Sequence, residues 1–128
     1  MEAVPTPTPR ELEILKVLWE LGPSTVRAVH EHSFKERDIA YNTVQTMLRL
    51  MADKKHLVSA SLEGRTFVYT PRFSRDEVAV RFLDHVFDGA AAEMVQSLIR
   101  SERISADELE QMQGMITAAR HSKKGGSK

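Results

Sequence analysis

The stretch from Ala40 to Pro71 constrains the fold of this chain most, because its apolar pattern changes from helical to strand-like within a few residues. Its first part repeats apolar side chains at helical spacing, at Val44, Met47, Leu48 and Met51. After His56 the apolar period becomes two, and Glu63-Gly64 supplies a turn between two short runs. The pattern therefore predicts one amphipathic helix followed by a two-stranded hairpin.

This stretch is also basic, although the 128-residue chain as a whole balances 18 Lys and Arg against 18 Asp and Glu. Residues 40–72 contain Arg49, Lys54, Lys55, Arg65 and Arg72 against only Asp53 and Glu63. Residues 73–119 have the opposite bias, with four basic and nine acidic side chains. A specific DNA-binding protein needs only a local basic face, so overall neutrality is compatible with DNA binding.

Two helices are predicted before this stretch. Thr8 and Glu11 fit a capping box around Pro9, which predicts the start of the first helix. Ser24 or Thr25 can cap a shorter second helix, which should end before the polar run HSFKERD. Three helices followed by a basic hairpin are typical of a winged helix-turn-helix, which places its third helix in the major groove of DNA.

The polar flank of the third helix carries amide, hydroxyl and guanidinium groups, which match the donors and acceptors on base edges. We predict base contacts from Asn42, Thr43, Gln45, Thr46 and Arg49. Contacts to phosphate, which position the protein without reading sequence, are predicted for Thr25, Arg27, Tyr41, Lys54, Lys55 and Arg65. A polar helix face is most often only solvated. A winged helix can also serve as a protein-interaction scaffold without DNA binding, and this alternative stays open.

Three more amphipathic helices are predicted after residue 72, and they lack an apolar partner surface within the chain. Capping boxes at Ser74 with Glu77 and at Ser105 with Glu108 predict two of their starts, and Asp88-Gly89 separates the first from the second. Because these helices must bury their apolar faces, we predict a two-fold homodimer. The predicted interface residues are Val78, Phe82, Leu83, Val86, Met94, Val95, Leu98, Ile99, Leu109, Met112 and Ile116.

The predicted fold class is therefore mainly α with a small β-hairpin wing. An N-terminal winged-helix domain is expected over residues 1–72 and a C-terminal three-helix dimerisation domain over residues 73–119. Residues 120–128 contain no large apolar side chain and are expected to be a disordered tail.

Several function classes find no support in the residues. The chain has no cysteine, which excludes disulfides, thiolate metal sites and a cysteine nucleophile. It also lacks a phosphate-binding glycine loop, a G-x-S-x-G elbow and an H-E-x-x-H motif, so we predict neither an enzyme nor a cofactor. His30 and His32 would lie about 200° apart on a helix, and no metal is predicted. A metal-responsive regulator with ligands gathered across a dimer interface stays open as an alternative.

The sequence shows no segment that would direct the chain out of the cytoplasm. No apolar run approaches the roughly 18 residues that span a bilayer. The first ten residues, MEAVPTPTPR, lack the apolar core of a signal peptide. We therefore expect a cytoplasmic location.

Three segments together resemble the penicillinase-repressor family (BlaI, MecI and CopY): TPRELEILKVLWELGPSTVRAVHE, YNTVQTMLRLMADKKHLV and EGRTFVYTPRFSRDE. The likeness runs from Thr6 to Ile116. It implies a winged-helix repressor that binds a palindromic double-stranded operator as a homodimer and is relieved when its dimerisation domain is cut or loosened. It also implies DNA contact from the wing tip, here Arg65, and from the N-terminal turn of the third helix.

The resemblance also bears on regulation. Antibiotic-responsive members are cut by a membrane sensor metalloprotease at an Asn-Phe bond, and the matching position here is Ser97-Leu98. The resemblance therefore suggests such a protease as a partner, although Ser97-Leu98 replaces the Asn-Phe bond that it cuts in those members. The cysteine-rich C-terminal motif of copper-responsive members is absent, which excludes copper sensing of that type.

Overall fold

The computed structural model describes residues 6–126, which divide into two compact units between Val86 and Phe87. The elements that begin before this division are α1 (Pro9–Leu21), α2 (Val26–Val29), a π-helical turn (His30–Phe34), α3 (Tyr41–Asp53), β1 (Val58–Glu63), β2 (Thr66–Pro71) and α4 (Arg75–Phe87). The second unit contains α5 (Ala91–Arg100) and α6 (Ala106–Gly126). The predicted fold class, mainly helical with a β-hairpin wing, is confirmed.

The helix starts follow from their capping residues. At the start of α1, the Thr8 backbone N–H donates to Glu11 Oε1 at 2.9 Å, and the Glu11 N–H donates back to Thr8 Oγ1 at 3.2 Å. The same reciprocal pair is present at Ser74 with Glu77 and at Ser105 with Glu108. All three predicted capping boxes are confirmed.

The hydrophobic core lies within the first unit and joins α1, α2, α3 and the hairpin. Its buried members are Ile14, Leu15, Val17, Leu18, Val26, Val29, Phe34, Val44, Leu48, Met51, Leu57, Val58 and Tyr69. Trp19 packs against this core, and its indole N–H donates to the Phe73 carbonyl at 2.9 Å. That bond connects α1 to the segment between β2 and α4.

The region after α2 differs from the prediction. The second helix was expected to end before HSFKERD, but the π-helical turn continues it to Phe34. Phe34 is 0% exposed, so burial of this one aromatic ring holds the turn against the core. A single apolar residue in a polar run gives no periodic signal, which is why the sequence analysis missed it.

The hairpin forms the wing. Its register pairs Val58 with Pro71 at one end and Glu63 with Thr66 at the other. The two-residue loop is Gly64-Arg65, one residue later than predicted, and Gly64 adopts φ 66°, as the first position of a type II′ turn requires. Ser24 and Tyr69 exchange two backbone hydrogen bonds of 3.0 and 2.8 Å, which attach the wing to the start of α2.

The C-terminal end also differs from the prediction. Residues 120–128 were expected to be disordered, but α6 continues to Gly126. Lys123 and Lys124 lie in its last turn, where cations interact favourably with the helix dipole. Residues 127–128, and residues 1–5 of the predicted N-terminal domain, lie outside the described part of the chain. The expected domain boundary near residue 72 stays a prediction.

The second unit has no buried core of its own. All the buried hydrophobic residues found in the described chain lie between Ile14 and Tyr69, and no side chain of residues 87–124 is buried. Within residues 6–126, no helix has both the length and the apolar content needed to cross a bilayer.

Candidate nucleic-acid interface

The two faces of α3 have different surroundings. Val44, Leu48 and Met51 are each no more than 1% exposed and anchor the helix in the core. The predicted base-contact residues lie on the remaining surface: Asn42, Thr43, Thr46 and Arg49 are exposed, and Gln45 is half-buried. The helix is therefore held by one side and leaves the other free for a ligand.

Leu50 is an exposed residue of α3 that the sequence analysis did not select. It is 46% exposed and follows Thr46 by four residues, so it lies one helical turn further along the same surface. An apolar side chain at this place can contact a thymine methyl group. Its lack of a polar group explains why a search for hydrogen-bonding side chains passed over it.

The start of α3 is fixed by contacts from the preceding turn. The His30 ring nitrogen Nε2 donates to the Ile39 carbonyl at 2.8 Å, and the His30 ring meets the Tyr41 ring edge-on with centroids 5.8 Å apart. Ala40 caps α3 without a side-chain hydrogen bond. Backbone N–H groups at such a helix start can donate hydrogen bonds to an anionic group. His30, considered above only as a metal ligand, thus positions the start of α3.

A cleft of about 210 Å³ lies between α3 and the wing. Its walls are formed by Val26, Tyr41, Gln45, Arg65, Thr66, Phe67 and Tyr69. The cleft brings together one predicted base-contact residue, Gln45, and two predicted phosphate contacts, Tyr41 and Arg65. Burial raises the pKa of Tyr69 and outweighs the nearby positive charge of Arg49, so the phenol stays neutral at physiological pH.

The N-terminus of α2 carries two further predicted phosphate contacts. Thr25 is the N-cap, and its Oγ1 accepts a hydrogen bond from the Ala28 backbone N–H at 3.1 Å. Because the hydroxyl is used there only as an acceptor, its proton can still be donated to a phosphate oxygen. Arg27 lies in the first turn of the same helix and is exposed.

Lys54 and Lys55 differ although they are adjacent. The Lys55 Nζ lies 3.0 Å from Glu11 Oε2, whereas Lys54 is exposed and forms no ion pair within residues 6–126. Burial alone would raise the pKa of Glu11, but hydrogen bonds from Thr8 and the Lys55 ammonium outweigh it, so the pKa is lowered from 4.5. A phosphate contact from Lys55 would therefore compete with its ion pair to Glu11, whereas one from Lys54 would not.

The histidines near this surface have separate partners. His32 Nδ1 lies 2.6 Å from the Ser33 hydroxyl oxygen, and its Nε2 lies 3.5 Å from Glu20 Oε1. His30 contacts the Ile39 carbonyl instead. Across the described residues, no three His, Asp or Glu side chains gather in a way that would hold a metal ion.

The predicted dimerisation residues keep much of their apolar surface exposed. Phe82 and Val86 on α4 are 49% and 51% exposed, and Ile99 on α5 and Ile116 on α6 are 49% and 54% exposed. Leu98 and Leu109 are also exposed, and Val78, Leu83, Met94, Val95 and Met112 are half-buried. Exposed apolar surface on successive helices is typical of a protein interface.

Comparison with known proteins adds an independent finding. Residues 7–118 match the sequence profile of the family described as "Penicillinase repressor". A protein named "Penicillinase repressor" from Bacillus licheniformis is 29% identical over 128 residues, which cover 97% of this chain and 99% of the relative. A protein named "Transcriptional regulator BlaI" from Mycobacterium tuberculosis is 37% identical over 102 residues, covering 77% of this chain and 73% of the relative.

Proposed function

This chain belongs to the penicillinase-repressor family, and on that premise we propose that it represses transcription by binding a palindromic DNA operator as a homodimer. The observation that carries the proposal is the two-sided α3, anchored by Leu48 and open along the flank that holds Asn42 and Thr46. A helix held in this way can enter the major groove without rearrangement of the core. We infer that it acts in the cytoplasm.

In the proposed complex, α3 lies in the major groove and the wing contacts the adjacent backbone. Asn42 and Gln45 offer amide groups that can pair with adenine, and Arg49 offers a guanidinium that can pair with guanine. Each good bidentate contact contributes about 1–3 kcal/mol of discrimination between base pairs. Arg65 at the wing tip and Lys54 at the end of α3 contact phosphate, which orients the helix and makes the affinity salt-dependent.

Dimerisation sets the spacing of the two recognition helices. In a two-fold dimer, each subunit reads one half of a symmetric operator, and half-site centres lie about 34 Å apart, one turn of DNA. A dimer that occupies both half-sites binds the operator with much higher affinity than a monomer that occupies one. Repression is then occupancy of the operator, and a change that dissociates the subunits relieves it.

We further propose that repression is relieved through the second unit. The Ser97-Leu98 bond lies within α5, and Leu98 is 38% exposed. A sensor protease that cuts α5 here would divide its apolar face between two fragments and weaken the dimer. Because proteases need an extended backbone, α5 must open locally before this bond can be cut.

Selection from a pool of random DNA duplexes with the purified full chain tests the proposal. We expect enrichment of a palindrome whose half-sites are centred about one helical turn apart. Bound duplexes should contain two protein subunits, measured by native mass spectrometry. Failure to enrich any sequence while binding all duplexes equally would contradict sequence-specific repression.

A further inference from the structure

A pocket of about 630 Å³ lies between α1 and the start of α4, within the first unit. Clefts of this volume are typical of small-molecule sites. The residues that line it are Lys16, Trp19, Glu20, Ser74 and Arg75. They are all different from the predicted DNA contacts and the predicted dimer contacts. The pocket is therefore separate from both proposed interfaces.

Helix α1 supplies an aromatic wall to this pocket. Lys16, Trp19 and Glu20 are spaced by three and four residues, so they lie on the same side of the helix. Trp19 is half-buried, and its indole N–H donates to the Phe73 carbonyl at 2.9 Å. Because this bond uses the one polar group of the indole, the ring needs no polar partner from a ligand and is held in place as an apolar surface.

The two cations of the pocket have no acidic partner. Lys16 and Arg75 are exposed, and neither forms an ion pair with an Asp or Glu of residues 6–126. Glu20 follows Lys16 by four residues, a spacing that allows an ion pair on a helix. Its Oε1 lies instead 3.5 Å from Nε2 of His32. Both cations are therefore available to an anionic ligand.

The start of α4 adds hydrogen-bond donors beside these charges. The Ser74 Oγ accepts a hydrogen bond from the Glu77 backbone N–H at 3.0 Å, which leaves its hydroxyl proton free to be donated. The planar guanidinium of Arg75 has parallel N–H groups that fit the two oxygens of a carboxylate. This side of the pocket is suited to a carboxylate, whereas the Trp19 side is suited to a ring.

We propose that the pocket binds a small aromatic carboxylate, whose ring packs against Trp19 and whose carboxylate is bound by Lys16 and Arg75. With Glu20 included, the lining has one net positive charge, which matches a carboxylate monoanion better than a phosphate dianion. A bound ligand would add a second connection between α1 and α4 beside the hydrogen bond from Trp19 to Phe73. The proposal goes beyond the repressor function and uses none of its contacts.

NMR of the isotope-labelled full chain tests the proposal, because Trp19 is the single tryptophan and its indole N–H gives one signal. Benzoate should shift this signal saturably, with a Kd of about 1–10 mM. Benzyl alcohol, which has the ring without the charge, should bind about tenfold more weakly. Cyclohexanecarboxylate, which has the charge without the aromatic ring, should bind about threefold more weakly.

Substitutions in the lining should change benzoate affinity in opposite directions. The double variant Lys16→Gln, Arg75→Gln should weaken benzoate binding about tenfold and leave benzyl alcohol binding unchanged. Glu20→Gln should strengthen benzoate binding about twofold, because it removes the negative charge of the lining. A gain from one variant and a loss from the other would not arise from partial unfolding of the pocket.

A matched control is the double variant Lys35→Gln, Arg103→Gln, which removes two positive charges at exposed positions outside the pocket. It should bind benzoate as the natural protein does. A Trp19 signal that does not respond to benzoate, or equal weakening by both double variants, would overturn the proposed site. Operator selection does not depend on this pocket, so that result would leave the proposed repressor function standing.

Discussion

The winged helix and the helices that follow it bury their apolar residues in different ways. Leu18, Leu48 and Phe34 are each 0% exposed, whereas Ile99 and Ile116 are 49% and 54% exposed. The apolar stripes on α3 and α6 nevertheless have the same helical spacing in the sequence. Periodicity therefore identifies a face that must be buried, but it does not tell whether the partner lies in the same subunit or in another molecule.

The largest expected effect comes from the core of the first unit. Leu48→Ala should lower its free energy of unfolding by about 2–5 kcal/mol, because it removes buried contacts and leaves a cavity. A denaturation curve monitored by the fluorescence of Trp19, the single tryptophan, measures this change. The matched variant Ile116→Ala should leave that transition in place and weaken dimerisation instead. A similar loss from both variants would abolish the contrast between the two regions.

A smaller effect is expected where the N-terminus of α1 meets the end of α3. Glu11→Gln should destabilise the first unit by about 1 kcal/mol at pH 7, because it removes the charged partner of Lys55 and weakens the hydrogen bond from Thr8. The lowered pKa means that the ionised carboxylate stabilises the fold above pH 4.5, and this stability is lost as the pH falls below 4.5 through the folded-state pKa.

Unfolding of both proteins at several pH values measures this dependence. The difference between natural protein and Glu11→Gln should be full at neutral pH and should shrink as the carboxylate becomes protonated in both states. A difference that stays constant down to pH 2 would show that the ion pair contributes nothing and that only the shape of the side chain matters.

The smallest expected effect separates two neighbouring lysines. Lys54→Ala should weaken binding to the selected operator and to a random duplex equally, and should reduce the salt slope by about one unit. Lys55→Ala should change the salt slope less, because its ammonium already pairs with Glu11. Salt titrations followed by fluorescence anisotropy give both slopes. Equal slopes for the two variants would mean that Lys55 leaves Glu11 to contact DNA.

Most of this fold could be predicted from the sequence because the patterns that indicate its helices and strands are local. Capping boxes such as Ser74 with Glu77 depend on residues three apart, and the alternating hairpin depends on neighbours. Sequence reasoning missed the π-helical turn, where only Phe34 marks the burial. It also did not foresee the ion pair between Lys55 and Glu11, because these residues are distant in the sequence and meet only in the folded chain. The phosphate contact of Lys55 stays a prediction.

The candidate site was predictable to a similar degree. The polar flank of α3 follows from its periodicity, and the structure leaves Asn42, Thr46 and Arg49 exposed as that reading requires. The role of His30 in fixing the start of α3 was not predictable, since it depends on the backbone position of Ile39 and on the Tyr41 ring. Contacts of this kind arise from the shape of the chain rather than from spacing along it.

The most direct test of the central claim compares specific and nonspecific DNA binding by Asn42→Ala and Gln45→Ala. Anisotropy titrations would use the selected operator and a scrambled duplex of equal length at the same salt concentration. If the exposed flank of α3 reads bases, each substitution should weaken operator binding by about 1–3 kcal/mol per lost base contact and leave scrambled-duplex binding nearly unchanged. Equal loss on both duplexes would contradict the assignment of this flank to base recognition.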